Sequence, residues 1–103
     1  MTTAAQVLKP TLPVPPPPVD ALLEAVHAGL AELKAKDVVE IDVRGRSSVC
    51  DFMVIASGTS TRHVKASAEE VVQFSKKLGV APLGVEGERE AEWVLVDLGD
   101  VVV

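Results

Sequence analysis

An unbroken apolar run over residues 52–56 is the clearest secondary-structure signal in the chain. Such a run leaves no side for water, which is typical of a strand in the middle of a covered sheet. Residues 57–60 form the turn that follows. Gly58 is expected to adopt a backbone conformation closed to other residues, and Thr59 or Ser60 is expected to cap the next helix.

The residues after this turn repeat apolar positions with the spacing of a helix face. We predict a helix that lasts to about Leu78, followed by a left-handed C-cap at Gly79. Pro82 lies just beyond and favours the same end point. The predicted apolar face consists of Val64, Ala68, Val71, Val72 and Leu78. This helix is expected to cover the central strand.

A second helical pattern precedes the central strand. Asp20 is a suitable N-cap, and the predicted helix runs to about Lys36. Gly29 lies within it and is expected to mark close packing, since a helical glycine costs roughly 1 kcal/mol against alanine. The apolar positions are Leu22, Val26, Leu30 and Leu33, with Leu23 on the flank.

Residues 38–43 alternate between apolar and acidic side chains, which predicts a half-buried strand. Val39, Ile41 and Val43 would face the core. Glu40 and Asp42 share the opposite side, and we interpret that side as solvated rather than as a catalytic carboxylate pair. The short loop after this strand favours an antiparallel hairpin with the central strand.

The last part of the chain predicts three short strands. Residues 82–86 follow the helical crossover and should run parallel to the central strand. In the strand over residues 93–98, Trp93, Leu95 and Asp97 point to one side. Gly99 and Asp100 fit a two-residue primed turn, so residues 101–103 should fold back antiparallel. The pattern therefore predicts an α/β fold, a mixed parallel and antiparallel sheet of about five strands with two helices.

Composition indicates one small domain with a leader. Prolines crowd residues 10–18, so we expect residues 1–18 to be an extended Pro-rich leader and residues 19–103 to be the domain. Cys50 is the only cysteine, which excludes an internal disulfide and a cysteine-cluster metal site. The chain lacks a signal-peptide pattern, and a cytoplasmic location is expected. No cofactor or metal is indicated.

The negative charge of the chain is concentrated near its C-terminal end. Residues 1–85 contain nine acids and nine bases, whereas residues 86–103 contain six acids and one base. This accounts for the entire formal net charge of −5. An acidic stretch repels phosphate backbones and attracts basic proteins, although acidic loops are often only solvated.

The sequence stops within a predicted strand, with no closing turn. We therefore expect a fragment whose C-terminal strand is truncated. An unfinished strand leaves sheet edge exposed, and pairing with a second copy as a homodimer is one expected consequence.

Four separated segments carry a family resemblance: residues 42–51 (DVRGRSSVCD), 55–64 (IASGTSTRHV), 82–87 (PLGVEG) and 93–103 (WVLVDLGDVVV). Together they resemble the ribosomal silencing factor family, also called the Iojap-related family. The resemblance covers about residues 20–103. The usual ending of the family, a histidine and more strand followed by Phe-Tyr and Leu-Trp, is absent here.

The resemblance implies a factor that binds the large ribosomal subunit through its protein fourteen. Such a factor blocks joining of the small subunit and represses translation when nutrients run short. The implied fold is similar to nucleotidyltransferases without their catalytic motif. The resemblance also implies a contact surface formed by Trp93, Asp97, Leu98, Gly99 and Asp100. The residues agree, since a lone tryptophan beside charges is typical of a binding hot spot, whereas the alternative places Trp93 in the core.

The residues leave two other functions open. A nucleotidyltransferase-like enzyme or nucleotide-binding protein would need a carboxylate pair that holds magnesium, and Glu69 and Glu70 are neighbours on a predicted helix that face different directions. A secondary contact with ribosomal RNA would use basic residues near the ends of the central strand. These residues are Arg44, Arg46, Arg62 and Lys65.

Overall fold

The computed structural model describes residues 17–103. The predicted leader lies outside the described residues except for Pro17 and Pro18. The elements are helix α1 (Val19–Glu32), strands β1 (Lys36–Asp42) and β2 (Phe52–Ser57), helix α2 (Thr61–Lys77), and strands β3 (Gly84–Glu86), β4 (Leu95–Asp97) and β5 (Val101–Val102). This is the predicted order. In the described part of the chain, no helix has the length and apolar character needed to cross a membrane.

The five strands form one mixed sheet in the order β1-β2-β5-β4-β3. Strand β2 pairs antiparallel with β1 and parallel with β5, while β4 pairs antiparallel with β5 and β3. Strand β3 therefore runs in the same direction as β2, as predicted. The hairpin between β1 and β2 and the fold-back of β5 after the Gly99 turn are also confirmed.

Both helices pack on one face of the sheet, where the core lies. The prediction that β2 is covered on both faces was wrong, because Met53 and Ile55 point to the opposite, exposed face. An apolar run shows that both sides of a strand are apolar, but two helices suffice to cover only one. The core consists of Leu22, Leu23, Val26, Leu30, Phe52, Val54, Val71, Val96, Leu98 and Val101.

Strand β1 is an edge strand with all seven residues exposed, which corrects the predicted half-buried pattern. Its two sides are also the reverse of the prediction. Glu40 pairs with Val54, a core residue, so Glu40 lies on the helix side, where it accepts a hydrogen bond from Nε2 of His27 at 2.7 Å. Val39 and Ile41 lie on the exposed face. The helices do not extend far enough to cover this edge.

The ends of the helices follow local capping chemistry. Helix α1 begins after Pro18 in extended conformation, so the predicted N-cap Asp20 instead lies in the first turn, and the helix ends at Glu32 rather than near Lys36. An acid there still favours the positive end of the helix dipole. Helix α2 is capped by Ser60, whose hydroxyl accepts the N–H of His63 at 3.1 Å. Gly79 adopts the predicted left-handed conformation, with φ +87°.

Two glycines permit close approach between elements. A Cβ at Gly29 would lie 2.9 Å from Cα of Val71, which confirms the predicted close packing of the helices. At Gly58 the prediction of an unusual backbone conformation was wrong, because its φ is not positive. A Cβ there would lie 2.7 Å from the Val64 side chain, so this glycine is required for space alone.

His63 ties three parts of the fold together. Its Nδ1 accepts the N–H of Thr59 at 2.9 Å, and its Nε2 donates to the carbonyl of Leu33 at the end of α1. These two bonds require a neutral ring with the proton on Nε2. The histidine therefore fixes the turn after β2 against both helices.

Candidate functional site

The sheet face opposite the helices is apolar and exposed. Cross-strand pairing joins Ile41 to Met53 and Val39 to Ile55, so all four side chains lie on this face. Met53 also pairs with Val102, which extends the same row onto β5. Contiguous exposed apolar surface of this kind marks an interaction site more often than it serves stability.

Trp93 lies just before β4 and is also exposed. Its side chain is 62% exposed, which settles the open alternative that it belongs to the core. The alternation through β4 places Leu95 and Asp97 on one side, as predicted, because Asp97 pairs with Val102 of the exposed row. Glu86 pairs with Leu95 and therefore lies beside them. We call Glu86, Trp93, Leu95 and Asp97 the tryptophan surface.

Gly87 supports the tryptophan. It adopts φ +81°, and a Cβ at this position would lie 2.3 Å from the carbonyl oxygen of Trp93 and 2.9 Å from two atoms of the indole ring. No other residue fits without moving the ring. Sequence reasoning did not single out Gly87, although it closes the segment 82–87 that contributes to the family resemblance.

The turn after β4 fixes the position of the Asp97 side chain, at one end of the tryptophan surface. Oδ1 of Asp97 accepts the N–H of Gly99 at 2.9 Å, and Gly99 has φ +92°. Asp100 is exposed beside them. Leu98 differs from the other residues implied by the resemblance, because it is only 5% exposed and belongs to the core. Its side chain is unavailable to a partner, so it supports this surface from below.

Acidic side chains are concentrated in the loop that joins the two strands of the tryptophan surface. Glu88, Glu90 and Glu92 are exposed in the loop between β3 and β4, and Glu86 precedes them. An exposed aromatic group with a charged rim is the usual composition of a protein-binding hot spot. The repulsion between these carboxylates and phosphate favours a basic protein over nucleic acid as the direct contact.

The four basic residues predicted as a secondary RNA contact do not form one patch. Arg44 and Arg46 precede β2, whereas Arg62 and Lys65 follow it, about 17–20 Å away at the strand rise of about 3.3 Å per residue. Arg44 also forms an ion pair with Asp42, in which Nη2 donates a hydrogen bond to Oδ2 at 2.7 Å. This hydrogen bond lowers the pKa of Asp42 to about 2. Phe52 lies beneath the guanidinium, 4.9 Å away at its ring centroid.

The structure locates the acidic residues considered for the enzyme alternative. Across residues 17–103, no group of three or more His, Cys, Asp or Glu side chains is arranged to hold a metal ion. Glu69 and Glu70 are adjacent on α2, where successive residues point in different directions. Cys50 is buried and free.

Comparison with known proteins decides the family. The family model described as "Ribosomal silencing factor during starvation" matches residues 16–103. The chain belongs to the ribosomal silencing factor family. This result confirms the resemblance carried by the four sequence segments.

Ribosomal silencing factors of known sequence cover most of the chain. The Haemophilus influenzae factor is 45% identical over 83 residues, which are 81% of this chain and 81% of that protein. The Bacillus subtilis factor is 39% identical over 83 residues, 81% of this chain and 70% of that protein. A mouse protein named for mitochondrial assembly of the ribosomal large subunit is 34% identical over 77 residues, 72% of this chain and 34% of that protein.

Solved structures agree with the fold. A crystal structure of a Chromobacterium violaceum protein superposes with a TM-score of 0.82 at 39% identity, covering 84% of this chain and 72% of that one. A Bacillus halodurans protein gives a TM-score of 0.75 at 38% identity, covering 80% of this chain and 76% of that one. The α/β fold with two helices and a mixed five-stranded sheet is therefore that of this family.

Proposed function

We propose that this chain binds the large ribosomal subunit through the tryptophan surface and sterically blocks joining of the small subunit. The exposed Trp93 on its Gly87 support is the observation that carries the proposal. Membership of the silencing factor family supports a role at the ribosome, and the name of the mouse relative supports the large subunit as the target. The result would be lower translation under nutrient limitation, in the cytoplasm.

The proposed partner on the subunit is its protein fourteen, which the family resemblance implies. Affinity would come from burying Trp93 and Leu95, which are both exposed in the free chain. The surrounding carboxylates would raise the association rate and discriminate among partners, since charges at the rim of an interface act mainly in these ways. Asp97 and Gly99 would keep the end of the surface rigid through their hydrogen bond.

The mechanism requires no bond to be made or broken. A domain bound on the joining face of one subunit excludes a second large body from the same space. The proposal therefore assigns no catalytic residue and no cofactor. Its activity depends on occupancy, and inhibition should saturate at the concentration at which large subunits are fully bound.

The test uses purified subunits in two steps. Co-sedimentation of the chain with isolated large subunits, compared with isolated small subunits, measures which particle it binds. Light scattering after rapid mixing then measures how fast the subunits join with and without saturating chain. We expect selective binding to the large subunit and slower joining. A normal joining rate at demonstrated saturation would contradict the steric mechanism.

The ionic contribution is tested in the same assay. Raising the salt from about 50 to about 300 mM should weaken binding, mainly through a slower association rate, because it screens the acidic rim. Association kinetics that do not change with salt would remove the electrostatic part of the proposal and leave the apolar part standing.

A further inference from the structure

The loop between β3 and β4 closes on itself just before Trp93. Residues 88–90 form a turn, across which the N–H of Ala91 donates a hydrogen bond to the carbonyl of Gly87 at 2.9 Å. Ala91 has φ +54°, in the left-handed region. The arrangement resembles the last turn of a helix, where the residue in the left-handed conformation is usually glycine. The loop therefore has an alanine at a position that favours glycine.

The alanine at this position has a physical reason. A Cβ makes the left-handed conformation unfavourable, whereas glycine adopts it without steric cost. The side chain of Ala91 is only 4% exposed, although Glu90 and Glu92 on either side of it are exposed. Residues other than glycine keep such a conformation only where their surroundings hold them, and they cluster at functional sites. The buried methyl group therefore fixes the backbone of the loop at residue 91.

Ala91 is connected to the indole ring of Trp93 through Gly87. The backbone of Gly87 lies against that ring, since a Cβ on this glycine would be 2.9 Å from two of the ring atoms. A glycine backbone has more conformational freedom than that of any other residue, so its position must be held by another part of the loop. The hydrogen bond from Ala91 holds the carbonyl of Gly87 and, with it, the backbone on which the ring rests.

We propose that Ala91 is a positioning residue that orders the indole ring of Trp93 before a partner binds. Glycine at position 91 would leave a glycine at each end of the turn, and the loop could then shift under the ring. Ordering a side chain during binding costs affinity, so a ring that is ordered in the free chain binds more tightly. The consequence for binding rests on the proposed function, whereas the ordering of the ring does not.

The fluorescence of Trp93 tests the ordering directly. The chain has one tryptophan and no tyrosine, so time-resolved fluorescence anisotropy reports the motion of this ring alone. In the parent chain we expect the decay to follow the rotation of the whole domain. Ala91→Gly should add a large component of about a nanosecond or less, as is typical of a free side chain. A parent ring that already moves freely, or a folded variant with the decay of the parent, would overturn the proposal.

The control makes the same chemical change elsewhere. Ala81 is exposed and precedes β3, and Ala81→Gly should leave the anisotropy decay unchanged. Urea unfolding must show that both variants are folded, because a merely structural role for Ala91 would change the unfolding midpoint and not the motion of the ring in the folded protein. Hydrogen exchange gives a measurement that needs no variant. The amide of Ala91 should exchange slowly, and exchange as fast as in an unstructured peptide would also overturn the proposal.

Binding to large ribosomal subunits tests the consequence. In co-sedimentation, Ala91→Gly should raise the Kd about 3- to 10-fold, as expected when one side chain must be ordered during binding. An unchanged Kd for a variant whose ring is mobile would overturn the contribution of this ordering to affinity. If the parent chain did not bind large subunits, the proposed function would be refuted, and the anisotropy comparison would still decide whether Ala91 positions the ring.

Discussion

Replacing Trp93 by alanine removes the largest exposed apolar side chain of the tryptophan surface. The residue is 62% exposed. Large aromatic side chains bury roughly 150–250 Å², so complete covering here would remove about 100–150 Å² from water. At about 25 cal/mol per Å² this corresponds to about 2.5–4 kcal/mol. Since ordering and desolvation offset part of this gain, we expect a loss of about 2–3 kcal/mol.

Such a loss corresponds to a Kd that is about 30- to 150-fold higher for large subunits. The assay is co-sedimentation with purified large subunits over a range of concentrations. Val49→Ala is the control, because Val49 is 72% exposed in the loop before β2, at the other end of the sheet. It should bind as the parent does. Urea unfolding must show that both variants are folded. A Kd for the folded tryptophan variant within twofold of the parent would refute the reasoning.

Three further predictions concern the fold. Gly29→Ala should lower the free energy of unfolding, measured in urea, by about 1–2 kcal/mol, because overpacking against α2 outweighs the gain in helix propensity. The control is Ala28→Ser on the exposed side of the same helix, which should be nearly neutral. His63→Ala should cost about 1–3 kcal/mol in the same assay, since it removes two hydrogen bonds. The ionised Asp42 stabilises the fold above pH ~3.8, and this stabilisation is lost as the pH falls towards the folded-state pKa of about 2. In a carboxyl NMR titration, Arg44→Gln should return the pKa of Asp42 towards 3.8.

Local patterns predicted the order and type of the elements. Helical spacing identified both helices, and the pair Gly99 and Asp100 predicted the last turn. Alternation through β4 separated Trp93, Leu95 and Asp97 from Leu98, and the structure shows that Trp93 is on the exposed side. The same alternation put Leu98 on the other side, which agrees with its burial and conflicts with its role as a contact. For Leu98, strand alternation therefore predicted the burial of the side chain better than the family resemblance did.

Other features depend on how the elements assemble and leave no local signal. The pattern of β1 shows two different sides but not which side meets the helices, and the pairing of Glu40 with His27 depends on the position of α1. Likewise, an apolar run cannot reveal that both helices lie on one face. The role of Gly87 became visible only in the structure, because it depends on where the carbonyl oxygen and indole ring of Trp93 lie.

The close approach of the helices at Gly29 leaves α1 little freedom to rotate about its own axis. The backbone of Val71 lies where a Cβ of residue 29 would be, so a rotation of α1 would bring a bulkier neighbouring side chain against α2. The two helices should therefore move as one layer when the sheet flexes.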